Sequence, residues 1–353
     1  MKILIIGSGG REHSLAWAFS LNPKCKELHC IPGNAGISSL AICKDLNILD
    51  NFQIVSYCKS NEIDFVVIGP EAPLANGLID VLIENKIHAF GPKKEAAFLE
   101  SSKSFTKLIC DARNIPTAKY TLANSKNEAL VFIEKFKPPF VIKLDGLAAG
   151  KGVFISTDKK EIINKINEIF SNKKYNNKPI IIEEYLEGVE ASLFILTNGE
   201  KYISLGSAQD YKNLYENNLG PNTGGMGAFS PAPNISPSIE KEVLNKIVKP
   251  TLEEMKQRGT PFCGILYTGL MITNTGPKLI EYNVRFGDPE CQVIAMRLGG
   301  QLLDALLYCT SNEFNKIKIN YSNDFGVTVI MASGGYPDQY KNGYQIEGID
   351  KLS

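Results

Sequence analysis

With 353 residues, the chain has room for two to three domains of about 150 residues each. Apolar residues supply 44% and charged residues 22%, an ordinary globular balance that excludes a disordered tail, a collagen-like fibre and a coiled coil. Lys plus Arg and Asp plus Glu both number 38, so the basic excess that bulk nucleic-acid binding needs is missing, while local sites for small phosphates stay open.

Lys2 to Ile6 (KILII) is an apolar run that stops at Gly7-Ser8-Gly9-Gly10, and a helical pattern follows through Leu15, Ala18 and Phe19. This predicts a buried strand, a tight turn and a helix. The run is too short for a secretory signal, and Arg11 and Glu12 follow it closely. No other run, Phe65 to Ile68 included, approaches the ~20 residues of a membrane span. Leu28 to Ile31 predicts a second strand, closed by Pro32-Gly33-Asn34-Ala35-Gly36. Asp64 to Ile68 predicts a third, closed by Gly69-Pro70-Glu71, and Ile87 to Phe90 a fourth, closed by Gly91-Pro92. Strands alternating with helices argue for a parallel α/β sheet whose Gly- and Pro-marked ends share the edge where such sheets place ligands.

From Ser101 the pattern changes. A lysine-bearing helix (Ser102 to Ala112) leads to a strand at Phe140 to Lys143, a Gly-rich loop to Gly152, and a strand at Val153 to Ser156. A polar helix from Asp158 to Lys173 precedes the strand Ile180 to Glu184, so this stretch predicts a small separate α+β unit. Strand pairs follow at Ala191 to Thr197 with Lys201 to Gly206, and at Tyr267 to Thr273 with Pro277 to Asn283, around a helix from Ser238 to Arg258. Asn198-Gly199 and Asn274-Thr275-Gly276 are hairpin turns, which predicts a second, antiparallel α+β domain. Gly326 to Ala332 is the last strand-like run. The eight cysteines show no C-x-x-C spacing and read as reduced thiols, and with only three histidines a Cys/His zinc site is not expected. The chemistry then rests on Lys, Arg, Asp, Glu and backbone amides.

Five segments carry that chemistry. In Gly7-x-Gly9-Gly10-Arg11-Glu12, close glycines let amides reach an anion at a helix N-terminus, although Glu12 stands where a dinucleotide fingerprint has its third glycine; a plain strand–helix turn fits as well. Lys143 ends a strand and is followed by a small-residue loop carrying Gly150, Lys151 and Gly152, a pattern suited to nucleotide phosphates but lacking the Ser or Thr of a Walker loop. Glu281, Asn283 and Arg285 share one face of a strand; the acid and amide oxygens suit Mg²⁺, and the arginine suits a phosphoryl group in transfer. Gly220 to Gly227 holds four glycines in eight residues and is either an amide nest for an anion or a linker. Glu183, Glu184, Tyr185 and Glu190 form a weaker acidic and aromatic group that suits adenosine.

Lys143 with its Gly-rich loop, EEYLEG, GPNTGGMGA and EYNVRFGDPE stand in this order, after IGSGGREH, PGNAG and GPEAPL. Together they resemble the phosphoribosylamine–glycine ligase family of ATP-grasp enzymes over nearly the whole chain. The resemblance implies an ATP-grasp fold, α/β and α+β in class. Residues 1–101 would form an N-terminal parallel, Rossmann-like substrate domain, and 102–312 the ATP-grasp domain with a lid at about 118–190. Residues 313–353 would be part of a C-terminal domain that the family carries further. It implies that Lys103, Lys143, Gly150, Lys151, Gly152, Glu183, Glu184, Tyr185, Glu190 and Asn283 hold ATP, and that Glu281 and Asn283 hold Mg²⁺ or Mn²⁺. Arg285, Lys143 and Asp288 would serve catalysis, while Gly9, Gly10, Asn34, Glu71, Gly224, Gly225 and Asp288 would face the other substrates. The expected reaction is ATP-dependent ligation of glycine to 5-phosphoribosylamine through a glycyl phosphate. Small-molecule substrates, a cytoplasmic location and no nucleic-acid, membrane or obligatory protein partner complete the expectation. A different ATP-grasp carboxylate–amine ligase and a nonenzymatic nucleotide-binding module are the competing readings.

Overall fold

The computed structural model describes residues 1–147, 152–172, 178–311 and 313–351. The N-terminal sheet holds β1 (Lys2–Gly7), β2 (Glu27–Pro32), β3 (Ile42–Cys43), β4 (Phe65–Ile68) and β5 (Ala89–Phe90) in the order β3-β2-β1-β4-β5. All four pairings are parallel, so the strands end on one edge. Helices cover both faces, and this is why β1 reads as an unbroken apolar run rather than an alternating one. Ile3 and Ile5 pack with Leu15 and Phe19 of the helix Gly10–Ser20. Leu4 and Ile6 pack on the other side with Ile54 and Val55 of the helix Asn51–Ser60.

The lid is a four-stranded antiparallel sheet of β6 (Tyr120–Ala123), β7 (Phe140–Leu144), β8 (Val153–Ser156) and β9 (Ile180–Glu184), ordered β6-β9-β7-β8. The polar helix expected at Asp158 to Lys173 runs from Lys159 to Ser171, with the Asp158 side chain accepting from Lys160 N. Its Ile162, Ile166 and Ile169 recur at helical spacing and join Phe140, Ile142, Ile180 and Ile182 in a small core of the lid's own. Lys160, Asn164 and Glu168 are exposed, so the helix is amphipathic.

The large sheet contains β10 (Val189–Asn198), β11 (Tyr202–Asp210), β14 (Gly227–Ser230), β15 (Cys263–Thr273), β16 (Gly276–Asn283) and β17 (Gly326–Val329). Its order is β16-β15-β10-β11-β14-β17, and a small ribbon, β12 (Asn213–Tyr215) with β13 (Leu219–Asn222), stands apart. At the β10–β11 turn, Asn198 Oδ1 accepts from Glu200 N and Lys201 N, and Gly199 takes φ +89°. β17 pairs antiparallel with β14, so this part of 313–353 extends the grasp sheet. The single helix expected over Ser238 to Arg258 is interrupted by a π turn at Leu244–Val248. Pro250, which lacks an N–H for the preceding turn, follows directly.

Alternation along β10 joins the N-terminal and grasp units. Leu193 and Ile195 belong to the core that holds Leu4 and Ile6. Phe194 and Leu196 belong to the one that holds Ile3 and Ile5. The two sheets therefore share both of these cores, while the lid keeps its own.

Candidate active site

A buried lysine pair, one member from the lid and one from the helix beneath it, meets on Glu183. Lys143, near the end of β7, and Lys107, from the helix Lys103–Arg113, each reach one oxygen of Glu183 at 2.8 Å. Burial would push the Glu183 carboxyl up, but Lys143 and Lys107 together hold it below the ordinary value. Burial also lowers the Lys107 and Lys103 ammonium groups. Lys143 Nζ donates to Ile280 O at 3.4 Å, which ties the lid to β16, and Lys103 Nζ donates to Gly146 O at 3.1 Å at the mouth of the Gly-rich loop. Gly150 and Lys151 lie outside the described residues. Gly152 is buried and accepts from Leu144 N through its carbonyl. Glu183 thus engages lysines, and the solvent-facing members of the expected adenosine group are Tyr185, 43% exposed, and Glu190, with Glu184 held by Lys119 N and Lys278. Lys143→Ala should weaken ATP binding by about 1.5–3 kcal/mol, the loss of a charge-assisted bond. Unchanged nucleotide affinity by calorimetry would contradict the placement.

Next to Lys143, a cavity is lined by Glu190, Ser192, Asp210, Lys212, Tyr267 and Glu281. Lys212 Nζ lies 2.8 Å from Glu190 and 3.9 Å from Asp210. Burial opposes ionisation of Glu281, yet Lys212, Lys143, Lys103 and Arg285 keep its carboxyl below the ordinary value. Among the described residues no three His, Cys, Asp or Glu side chains close around one point. A divalent ion here would rest on the Glu281 carboxylate and the Asn283 amide oxygen and take its remaining oxygens from phosphates and water, a donor set that fits Mg²⁺. Asp210, Lys212 and Lys107 carry no motif, and sequence reading passed over them.

Arg285 is clamped by acids of the N-terminal unit. Its Nη2 lies 2.9 Å from Glu100 and donates to Asn283 Oδ1 at 3.2 Å, while Nε lies 3.3 Å from Glu71. Glu100 Oε2 also accepts from Val284 N at 2.8 Å. Burial pushes the Glu100 carboxyl up despite Arg285. Glu71, expected on substrate, here faces Arg285, and burial is outweighed by that arginine so that its carboxyl is lowered.

Three separate motifs meet at the Asp288-Pro289 turn. Asp288 Oδ2 accepts from Arg11 N at 3.3 Å and Oδ1 from Gln292 Nε2 at 2.7 Å. A Cβ on Gly9 would lie 2.8 Å from Asp288 Oδ2, and one on Gly10 would lie 2.6 Å from Gln292 Nε2. Gly225, at φ +129°, would carry its Cβ 2.4 Å from Pro289 Cδ, so only glycine fits there. Gly224 N donates to Tyr336 Oη at 3.0 Å, and Gly9 N to Glu12 Oε2 at 2.6 Å, so both amides have protein partners. Asn34 accepts from Ile37 N within its own loop and donates to Ser8 O of the turn after β1, tying the two loops together.

Glu290, beyond the turn, escaped sequence reading as well. It accepts from Tyr267 Oη at 2.9 Å, and Ser192 Oγ donates to that hydroxyl at 2.6 Å. Burial and the nearby Asp210 carboxylate push the Glu290 carboxyl from 4.5 up to about 7. The native state therefore binds the extra proton between those values, and the stability it contributes is present at low pH and lost as pH rises through about 7. Glu290→Gln, neutral throughout, should gain thermal stability relative to the unsubstituted chain as pH rises from about 5 to 8. A melting-temperature difference constant over that range would refute this.

Residues 1–100 match the family described as phosphoribosylglycinamide synthetase, N domain, and residues 101–291 match its ATP-grasp (A) domain. Phosphoribosylamine–glycine ligase of Brucella melitensis is 43% identical over 353 residues, covering 100% of this chain and 83% of that protein. The Rhizobium meliloti enzyme of the same name is 44% identical, covering 100% and 84%. The crystal structure of phosphoribosylamine–glycine ligase from Thermotoga maritima superposes with a TM-score of 0.84 at 34% identity, covering 97% of this chain and 83% of that one. A biotin carboxylase domain from Hydrogenobacter thermophilus shares the fold at TM-score 0.72 and 17% identity, covering 92% and 73%.

Proposed function

The chain belongs to the phosphoribosylglycinamide synthetase family, and from that premise we infer that it ligates glycine to 5-phosphoribosylamine, forming glycinamide ribonucleotide, ADP and phosphate for purine biosynthesis. The observation that carries this reading is the alignment of Glu281, Asn283 and Arg285 on and just beyond β16, with Lys143 bonded to the carbonyl of Ile280 beside them. Phosphate-binding cations, hard oxygen donors and a transfer-stabilising arginine then face one space. In the first step a glycine carboxylate oxygen attacks the γ-phosphorus, the bond to ADP breaks, and glycyl phosphate forms. In the second the amine nitrogen attacks the acyl carbon, the C–O bond to phosphate breaks, and an amine proton passes to phosphate or water.

Lys103, Lys143 and Lys151 neutralise the nucleotide phosphates, and Arg285 stabilises the phosphoryl group in transfer. Gly150 and Gly152 supply loop amides, while Glu184, Tyr185 and Glu190 border the adenosine. Glu281 and Asn283 hold the divalent ion, Mg²⁺ or Mn²⁺, which when bound offsets phosphate charge. Asp288 and the glycine loops at Gly9–Gly10 and Gly224–Gly225, with Asn34 and Glu71, surround the acceptor. The chain mainly positions reactants and spreads charge, which fits a sequence with three histidines. No helix among the described residues is long and apolar enough to cross a membrane. The eight cysteines are free thiols, which supports a reducing compartment, the cytoplasm. The reading calls for no nucleic acid and no obligatory protein partner.

The test is ADP release by this chain. It should require both glycine and phosphoribosylamine. Release with another acid or amine in their place would point to a different ATP-grasp ligase. Nucleotide binding without turnover would point to a nonenzymatic module.

A further inference from the structure

We propose that Arg11 and Glu12 are positioning residues for the amide-forming step, holding the Phe286–Asp288 turn against the strand ends of the N-terminal sheet. The inference rests on the function inferred above. The glycine turn after β1 is filled by its own acid: Gly9 N donates to Glu12 Oε2 at 2.6 Å and Arg11 Nε to Oε1 at 2.5 Å. Glu12 is 1% exposed, and two strand-end glycines make its room. A Cβ on Gly69 would lie 1.8 Å from Glu12 Oε1, and one on Gly7, at φ +128°, would lie 2.5 Å from its Cδ.

With its charge matched by Glu12, Arg11 turns its remaining donors to the reaction centre. Its Nη1 donates to Phe286 O at 3.2 Å, and Arg285 Nη1 donates to the same carbonyl at 3.1 Å. One carbonyl thus joins an arginine of the N-terminal unit to the arginine at the phosphoryl site. The Arg11 backbone N–H meets Asp288, whose other oxygen is fixed by Gln292. A buried ion pair is a poor adhesive, because desolvation offsets most of its attraction and apolar packing would bind two elements better. What it supplies is direction. Its hydrogen bonds end on Phe286 and Asp288, the residues on either side of Gly287 that set where the acceptor amine stands, while Arg285 is held independently by Glu71 and Glu100.

The experiment uses the full chain with Arg11→Met, Arg11→Lys and Glu12→Gln. Overall turnover is measured beside ATP affinity and glycine-dependent positional isotope exchange in ATP, which reads glycyl phosphate formation without phosphoribosylamine. Arg11→Met should lower the kcat of amide formation about 100-fold, the effect of a misplaced reacting group, and Glu12→Gln about tenfold. ATP affinity, glycine KM and isotope exchange should stay within about twofold, and Arg11→Lys should recover part of the rate. Unchanged turnover overturns the proposal. So does a fall in isotope exchange by the same factor as turnover, since that marks a purely structural role. If Arg11→Met does not fold, Arg11→Lys and Glu12→Gln carry the same two outcomes. Failure of the unsubstituted chain to require glycine and phosphoribosylamine would instead defeat the functional reading itself.

Discussion

Glu281→Gln should lower kcat by on the order of 10³-fold, the scale at which a single preorganised electrostatic partner acts. The substitution keeps the side chain's volume and removes one negative charge. In the native site that charge is balanced by Lys212, Lys143, Lys103 and Arg285, which hold the carboxyl below its ordinary value against the cost of partial burial. A glutamine amide offers a neutral oxygen, so the divalent ion loses its charged ligand and the four cations lose their common counter-ion. The metal concentration giving half-maximal rate should rise, and excess metal should restore part of the activity. Asn283→Ala should act in the same direction. Full turnover of Glu281→Gln at ordinary Mg²⁺ would exclude this metal site.

Arg285→Met should cost about 10³-fold in kcat or more, because on the proposed reading the residue faces the phosphoryl group as charge moves from ATP to glycine. Here the loss has a second source. The Glu100 side chain is only 7% exposed, and its carboxyl is already pushed up by burial with Arg285 in place. Without the arginine it takes up a proton, and the Val284 N–H keeps only a neutral acceptor. Arg285→Lys keeps the charge, yet one ammonium cannot span Glu71, Glu100 and Asn283 as the guanidinium fork does. It should therefore fall between the methionine variant and the unsubstituted chain. Equal activity of Arg285→Lys and the unsubstituted chain would show that charge alone matters and that the clamp is incidental.

Much of this architecture is legible residue by residue. KILII, DFVVI and IIIEE announce buried strands because an element covered on both faces must be apolar throughout. Asn198-Gly199 announces a hairpin because the turn needs a backbone that glycine supplies at φ +89°. The set Glu281, Asn283, Arg285 announces its chemistry because a period of two would put all three on one face, although β16 itself ends at Asn283. The residues that respond to them are silent in the sequence. Lys107 lies on an amphipathic helix like many others, and only the packing of that helix beneath the lid brings it to Glu183. Asp210 and Lys212 sit at the end of β11 and just beyond it, where nothing local separates them from ordinary surface charge, and they meet Glu190 and Glu281 only once β11 pairs with β10.

The Gly7-x-Gly9-Gly10-Arg11-Glu12 turn shows where the division falls. The sequence by itself determined that the chain turns tightly after β1 and that the turn can hold an anion, since glycine spacing and the helix N-terminus are local properties. Only the tertiary structure decided which anion takes part. Glu12 folds back into the space that Gly7 and Gly69 leave, and the second of those glycines comes from a different strand. In the same way, the unbroken apolar runs of β1 and β10 determined that each strand has two apolar faces. The fold decided that the faces of both sheets merge into shared cores, which sets the N-terminal acids Glu71 and Glu100 against Arg285. Periodicity and turn chemistry depend on neighbours within a few residues, whereas a buried charge is matched by whichever partner the packing of distant elements delivers.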